Sequence, residues 1–157
     1  MLFRSQWHKN FRFHRLEIEL QTDTNNKGEN LSVMSYKTDT FNTTRYSLRL
    51  VPLDDEKYSY RADRMTSELC FYKKSKKMEI IDIIVSPKHE NRGNGNVLLR
   101  AIDKICKIEE AVKCYGMLSY QDKEHWDKLF HFYEENGYII TLKEGSLNGS
   151  IVKEYSL

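Results

Sequence analysis

Proline and glycine are scarce, at 2 and 7 of 157 residues, and neither an internal repeat nor a low-complexity linker interrupts the chain. Repeat architectures and a linker-joined pair of domains are thereby excluded, and the length suits one domain able to bury a core. No run of 18 apolar residues occurs, so no segment reads as a transmembrane helix. The first eight residues, Met1 to His8, lack the apolar core of a signal peptide, and the expectation is a cytoplasmic protein. Cysteine is sparse too. Cys70, Cys106 and Cys114 are odd in number and in no C-x-x-C spacing, which reads as reduced, buried thiols. His8, His14, His89, His125 and His131 form no H-x-x-x-H or H-E-x-x-H pattern, so no metal is expected. Charge of one sign is lacking as well. A net charge of +2, with 31% charged residues of both signs interspersed, carries no global nucleic-acid signature.

What is present centres on residues 80–102. An apolar run, Ile80-Ile81-Asp82-Ile83-Ile84-Val85, leads through Ser86-Pro87-Lys88-His89 into Glu90-Asn91-Arg92-Gly93-Asn94-Gly95-Asn96. A helix-like run, Val97 to Ile102, follows. A strand feeding a Gly-x-Gly turn that opens a helix builds an anion site from main-chain N–H groups and the helix N-terminus. Gly93 and Gly95 let that backbone approach a bulky diphosphate. The dinucleotide fingerprint is absent, because position 98 is Leu, and so is the P-loop. About 40 residues later stands Phe132-Tyr133-Glu134-Glu135-Asn136-Gly137-Tyr138.

Val85, Pro87, Gly93 and Gly95 in this register, followed by Phe132 to Tyr138, resemble the two motifs of the GCN5-related N-acetyltransferases (GNAT). The resemblance covers residues 78–157. It implies an α/β fold with a mixed, mostly antiparallel sheet flanked by helices. The single domain 1–157 would comprise a divergent substrate-side half, 1–77, and an acetyl-CoA-binding half, 78–157. The implied activity is direct acetyl transfer from acetyl-CoA to a primary amine on a small molecule or peptide. A non-catalytic acyl-CoA-binding module on the same fold is the alternative. A homodimer stays open, no membrane is involved, and nucleic acid is a weaker reading resting on the basic, aromatic segment Arg4 to Arg15.

Hydrophobic periodicity supplies the elements. Strands are expected at Phe11–Leu20, Leu31–Tyr36 and Arg45–Val51, with a turn at Asn25–Gly28 and Tyr58–Arg61 ambiguous. Met65–Tyr72 and Met78–Val85 read as a hairpin with the charged tip Lys73 to Lys77. Gly95–Ile108 reads as a helix, Val112–Leu118 as a strand, and His125–Asn136 as a helix stopped by Gly137. A hairpin, Tyr138–Leu142 with Ile151–Tyr155, closes the sheet. No amphipathic helix precedes residue 90, where the family usually has two; strands and loops would build the substrate wall instead.

An amine with pKa near 10.4 must lose a proton before it attacks, so a general base matters more than an acid. The resemblance implies Glu79 as that base, acting through water; the plainer reading is a strand-end glutamate facing Lys77 or solvent. Period-two alternation places 79, 81, 83 and 85 on one face and Asp82 on the other. Tyr133 matches the family tyrosine near the thioester sulfur, against a plain role in helix packing. The Val85 N–H is the expected donor to the thioester carbonyl. The cofactor set is Ile84, Val85, Glu90, Asn91, Arg92, Gly93, Asn94, Gly95, Asn96 and Tyr133, with Arg92 the best phosphate contact. Glu90 departs from the usual Gln or Arg; its repulsion of a diphosphate, about 1 kcal/mol at ~4 Å in water-like surroundings, would be offset by Arg92 and Lys88. Trp126 departs from the Asn that contacts the pantetheine arm in many members.

Overall fold

Residues 17–118, 124–142 and 148–156 are described by a computed structural model. Alternating apolar and polar residues in the first half produce antiparallel strands joined by short turns, except for the longer segment 53–64. These are β1 (Ile18–Thr24), β2 (Asn30–Asp39), β3 (Thr43–Pro52), β4 (Met65–Tyr72) and β5 (Lys77–Val85). A single 3-10 turn, Pro87–His89, then leads into α1 (Asn94–Ile108). The second half continues with β6 (Lys113–Leu118), α2 (Trp126–Glu135), β7 (Ile139–Leu142) and β8 (Gly149–Glu154). From β2 onward the elements match the expected ones within a few residues at their ends. By contrast, β1 shares only 18–20 with the strand expected at Phe11–Leu20 and runs on to Thr24; among the described residues no α-helix precedes α1. Of the strand expected at Phe11–Leu20, residues 11–16 lie outside the described residues, as does the Arg4 to Arg15 segment.

All eight strands join one sheet in the order β1-β2-β3-β4-β5-β6-β8-β7. Every pairing is antiparallel except β5 with β6. The last strand therefore inserts between β6 and β7. Parallel neighbours need a crossover, and α1 supplies it.

Both helices cover one face of the sheet. On α1, Leu98, Leu99, Ile102 and Ile105 are buried, and so are Leu48, Leu69, Met78 and Cys114 from the strands. Tyr138 donates to Cys114 Sγ (3.5 Å), and Lys153, the register partner of Cys114, donates to Asp103 of α1 and to the Asn136 carbonyl of α2's C-cap. All three cysteines are free and buried. Cys106 and Cys114 are hydrogen-bonded to each other across the α1–β6 contact. That bond, with burial, pushes the Cys114 thiol up.

The opposite face carries no helix among the described residues. Cross-strand partners share a face, so the register sorts its residues. One row is Tyr36, Ser47, Glu68 and Asp82; the next is Thr38, Arg45, Cys70, Glu79 and Tyr115. The strict alternation expected for β5 fails here. Leu69 pairs with Ile80 but Glu68 pairs with Asp82, leaving Ile81 as an extra residue. This β-bulge changes the sides of everything after it. Asp82 and Ile84 join Glu79 on the open face, while Ile83 and Val85 join Met78 and Ile80 against the core.

Candidate active site

The central feature is a wedge in the middle of the sheet. β5 and β6 are paired only from Lys77–Lys113 to Ile80–Gly116. Beyond that point β5 continues to Val85 with β4 as its partner, while β6 follows β8. Gly116 marks the parting. A Cβ there would lie 3.2 Å from the Ile80 carbonyl oxygen and 3.3 Å from Ile151 Cγ1. Ser86 N–H donates to the Arg64 carbonyl across the β4 edge (2.8 Å). Alternation along a strand then turns the N–H and C=O of Val85 and Ile83 away from β4, into the wedge. A row of main-chain donors and acceptors thus lines one wall.

The mouth of the wedge is the turn before α1. Gly93 is the N-cap with φ +80°, and Asn91 also has positive φ (59°). Glycine is needed at 93 for a second reason. A Cβ there would sit 2.6 Å from Asn26 Cγ in the β1–β2 turn. That turn braces the mouth. Asn26 N–H donates to the Arg92 carbonyl (2.8 Å), and Asn25 Nδ2 donates to Asn94 Oδ1 (2.9 Å). Asn25 Oδ1 meanwhile accepts the N–H groups of Lys27 and Glu29. No spacing in the sequence ties Asn25 and Asn26 to the Gly-x-Gly segment; only the fold brings them together.

The side chains expected to meet phosphate have other partners. Arg92 Nη1 is 3.0 Å from Glu29 Oε1. Hydrogen bonds from Asn25 and then Arg92 hold the Glu29 carboxyl below its ordinary range. Asn94 donates to the His89 carbonyl (2.9 Å) and is buried, and Asn96 Oδ1 accepts from Asn136 (2.8 Å). Lys88 lies 3.3 Å from Asp63, and Glu90 is 3.8 Å from Lys128 of α2. The cations expected to offset Glu90 are therefore engaged elsewhere. What the turn offers an anion is main-chain N–H groups at a helix start, which have no intrahelical partners. Gly95 differs from the expectation of a bare approach surface. A Cβ there would meet the Phe132 ring of α2 at 2.9 Å, so the glycine also lets the two helices touch.

Tyr133 is buried, with its ring against Phe132 (4.9 Å) and edge-on to Tyr138 (5.7 Å). It stands where α2 meets the start of β7. Trp126 opens α2 and stacks on Phe130 (5.7 Å). On the open face, Glu79 accepts a 2.6 Å hydrogen bond from the Tyr72 hydroxyl; its partner is neither Lys77 nor solvent alone. That bond pushes the Tyr72 phenol up, and burial with the Glu79 charge raises Tyr115. The structure thus gathers Glu79, Tyr72 and Tyr115 beside the closed end of the wedge. Neither tyrosine was marked by any motif. Among the described residues no group of three His, Cys, Asp or Glu side chains is placed to hold a metal.

No family model matches the chain. Over 101 residues, 64% of the chain, it is 29% identical to the uncharacterized protein YocC of Bacillus subtilis (strain 168), spanning 59% of that protein. Among solved structures it resembles the GNAT domain of S. lividans PAT at a TM-score of 0.64 and 9% identity, covering 86% of this chain and 96% of that one. It also resembles the PaiA N-acetyltransferase of Thermoplasma acidophilum, solved with coenzyme A, at 0.54 and 21% identity over 71% of this chain and 61% of that one. The fold is that of the GCN5-related N-acetyltransferases. A variant of the SpeG spermidine N-acetyltransferase of Vibrio cholerae is a further GNAT-fold neighbour, at 0.53 and 17% identity over 70% of this chain and 64% of that one. The chain thus spans about three fifths of the YocC and PaiA chains it matches.

Proposed function

We propose that this protein is an N-acetyltransferase that moves acetyl from acetyl-CoA to a primary amine in a ternary complex. The observation that carries the reading is the wedge: a sheet that parts at Ile80 and Gly116, with the Gly93 turn at its mouth. Diphosphate binds the N–H groups of residues 93–96, and the pantetheine arm lies along Ile83 to Val85, using the unpaired edge of β5 as its partner. Tyr133 packs near the thioester sulfur. The amine nitrogen attacks the carbonyl carbon, and the oxyanion is met by a β5 main-chain N–H, that of Val85 or of Ile83 deeper in the wedge. Glu79 accepts the amine proton through water. The C–S bond then breaks, and the leaving thiolate, with a pKa of roughly 8.5 by analogy with cysteine, needs little help.

Acetyl-CoA at 100 times Kd adds about 2.7 kcal/mol of apparent stability, a rise of about 5–10 °C in Tm for a chain of this size. No shift at millimolar ligand removes the proposal. Thiol release over an amine panel then separates enzyme from module: binding without release leaves only the non-catalytic alternative. Glu79→Gln should slow release by about 100-fold or more, the usual share of a general base, with acetyl-CoA binding intact. Unchanged turnover would show that Glu79 is not the base.

A further inference from the structure

Resting on the acetyltransferase reading, we infer that Tyr72, backed by Tyr115, is a positioning residue that fixes the Glu79 carboxylate for the proton it takes from the amine. A general base works only within hydrogen-bond reach of that proton, directly or through one water. Misplacement by about 1 Å can cost on the order of 100-fold in rate. A long glutamate side chain on a sheet face has many rotamers, so holding one of them needs a partner. The sheet supplies it.

The register sets the geometry. Glu79 lies between Cys70 of β4 and Tyr115 of β6, one pair before β5 and β6 part at Ile80 and Gly116. Its backbone is thus flanked by a paired strand on each side, next to the wedge. Tyr72 follows Cys70 by two residues, so the two share the open face and Tyr72 stands diagonal to Glu79. An aromatic side chain spans such a diagonal, and the Tyr72 hydroxyl reaches Glu79 Oε2 at 2.6 Å. Among the described residues Oε1 has no hydrogen-bond partner, and no ion pair joins Glu79 to Lys77, two residues away on the same face. One oxygen is held and the other is open to a proton.

The direction of the hydrogen bonds separates positioning from chemistry. A phenol has a single proton to give and two acceptor positions. Tyr72 gives its proton to Glu79, so in its hydrogen bond with Tyr115 it accepts and Tyr115 donates. Buried Cys70 also hydrogen-bonds to Tyr72, which completes the complement of that hydroxyl. The result is a chain running from Tyr115 to Tyr72 to Glu79, in which each donated bond strengthens the next. Both phenols stay protonated: the bond to Glu79 pushes Tyr72 up, and burial pushes Tyr115 up. A phenol so shifted is an even poorer acid near neutral pH, which leaves orientation, not proton transfer, as the part Tyr72 plays.

The test is steady-state thiol release by the full chain with saturating acetyl-CoA and an amine from the panel. Tyr72→Phe should lower kcat by about tenfold, the worth of one hydrogen bond to a charged group. KM for the amine and the thermal shift produced by acetyl-CoA should stay as in the wild type, because Tyr72 touches neither ligand in this reading. The deciding comparison is with Glu79→Gln, which leaves no base to orient. In that background Tyr72→Phe should change kcat by less than about twofold, whereas a tyrosine that only stabilises the sheet would lower it by the same factor in both. Tyr115→Phe should lower kcat by less than Tyr72→Phe does, and cause no further loss when the two are combined. An unchanged kcat in Tyr72→Phe, or equal losses in the wild-type and Glu79→Gln backgrounds, overturns the inference and leaves the acetyltransferase reading standing. Turnover that Glu79→Gln does not slow removes the base assignment and this inference together, again with the acetyltransferase reading intact. Absence of thiol release with any amine removes the acetyltransferase reading itself, and the inference with it. Should Tyr72→Phe fail to fold, Tyr115→Phe carries the test: a loss of kcat in the wild type and none in Glu79→Gln supports the inference, and any other result overturns it.

Discussion

Gly93→Ala probes the brace between the β1–β2 turn and the mouth of the wedge. Two separate penalties meet at this residue. An alanine at φ +80° costs about 1–2 kcal/mol from the clash of its Cβ with the backbone. The same Cβ would lie 2.6–2.9 Å from Asn26 Cγ, Oδ1 and Nδ2. Asn26 cannot simply swing away with its backbone, because its N–H is tied to the Arg92 carbonyl. Overpacking of this kind adds about 1–3 kcal/mol. The total, about 2–5 kcal/mol, corresponds to a fall in Tm of about 4–20 °C for a protein this long. Asn26→Ala alone should cost little, since among the described residues the Asn26 side chain has no hydrogen-bond partner. The double variant keeps the dihedral strain and removes the steric part. A double-mutant cycle by urea unfolding should therefore give a favourable coupling of about 1 kcal/mol or more. If Gly93→Ala melts with the wild type, or the two changes simply add, the brace is not what the geometry says it is.

Three further outcomes can be checked. Tyr72→Phe removes the 2.6 Å bond to Glu79 and should cost about 1 kcal/mol by denaturant unfolding, less than a fully buried charged bond because both groups are partly exposed; a neutral result would mean that water replaces the phenol without loss. Asp63 is buried, and the Ser59 N–H, with His89 and Lys88, holds its carboxyl below the ordinary range. Its contribution is present above pH ~4 and lost as pH falls through the lower folded value, so the wild-type advantage over Asp63→Asn should shrink in melts below pH ~4; a gap that stays constant with pH would contradict this. Gly116→Ala presses a Cβ on the Ile80 carbonyl and should destabilise by about 1–3 kcal/mol, whereas a silent variant would mean that the β5–β6 seam yields freely.

How far the sequence spoke depends on which physical signal each feature carries. Met65–Tyr72 and Met78–Val85 were legible as a hairpin because apolar runs bracket a basic tip. Gly93 announced a turn into a helix because few other residues tolerate its positive φ, while Gly95 is required by the approach of Phe132 instead. Among the described residues the absence of an α-helix before α1 could also be read, since no 3.6-residue periodicity occurs there. The faces of β5 could not be read. Ile80 to Val85 is apolar on both parities except at Asp82, so nothing local signals that Ile81 is the extra residue; only its pairing with β4 decides. Arg92 looked like a phosphate ligand because charge and position suggested it, while its partner Glu29 lies far away in sequence. The strand order at the C-terminal end was equally hidden. Hairpin logic joins β7 to β8 but does not say which of them lies against β6.

The single extra residue in β5 behaves like a frameshift in the inside/outside code of a strand. Upstream, odd numbers look outward; downstream, even numbers do. Deleting Ile81 would remove the bulge and leave Asp82 outward and Ile83 and Val85 against the core, now in plain alternation with Glu79 and Ile80. A strand can thus absorb one added residue without exchanging the lining of either flank, because the bulge takes up the change of parity. Comparing this strand with another by counting residues from Glu79 will misassign sides unless the extra residue is counted too.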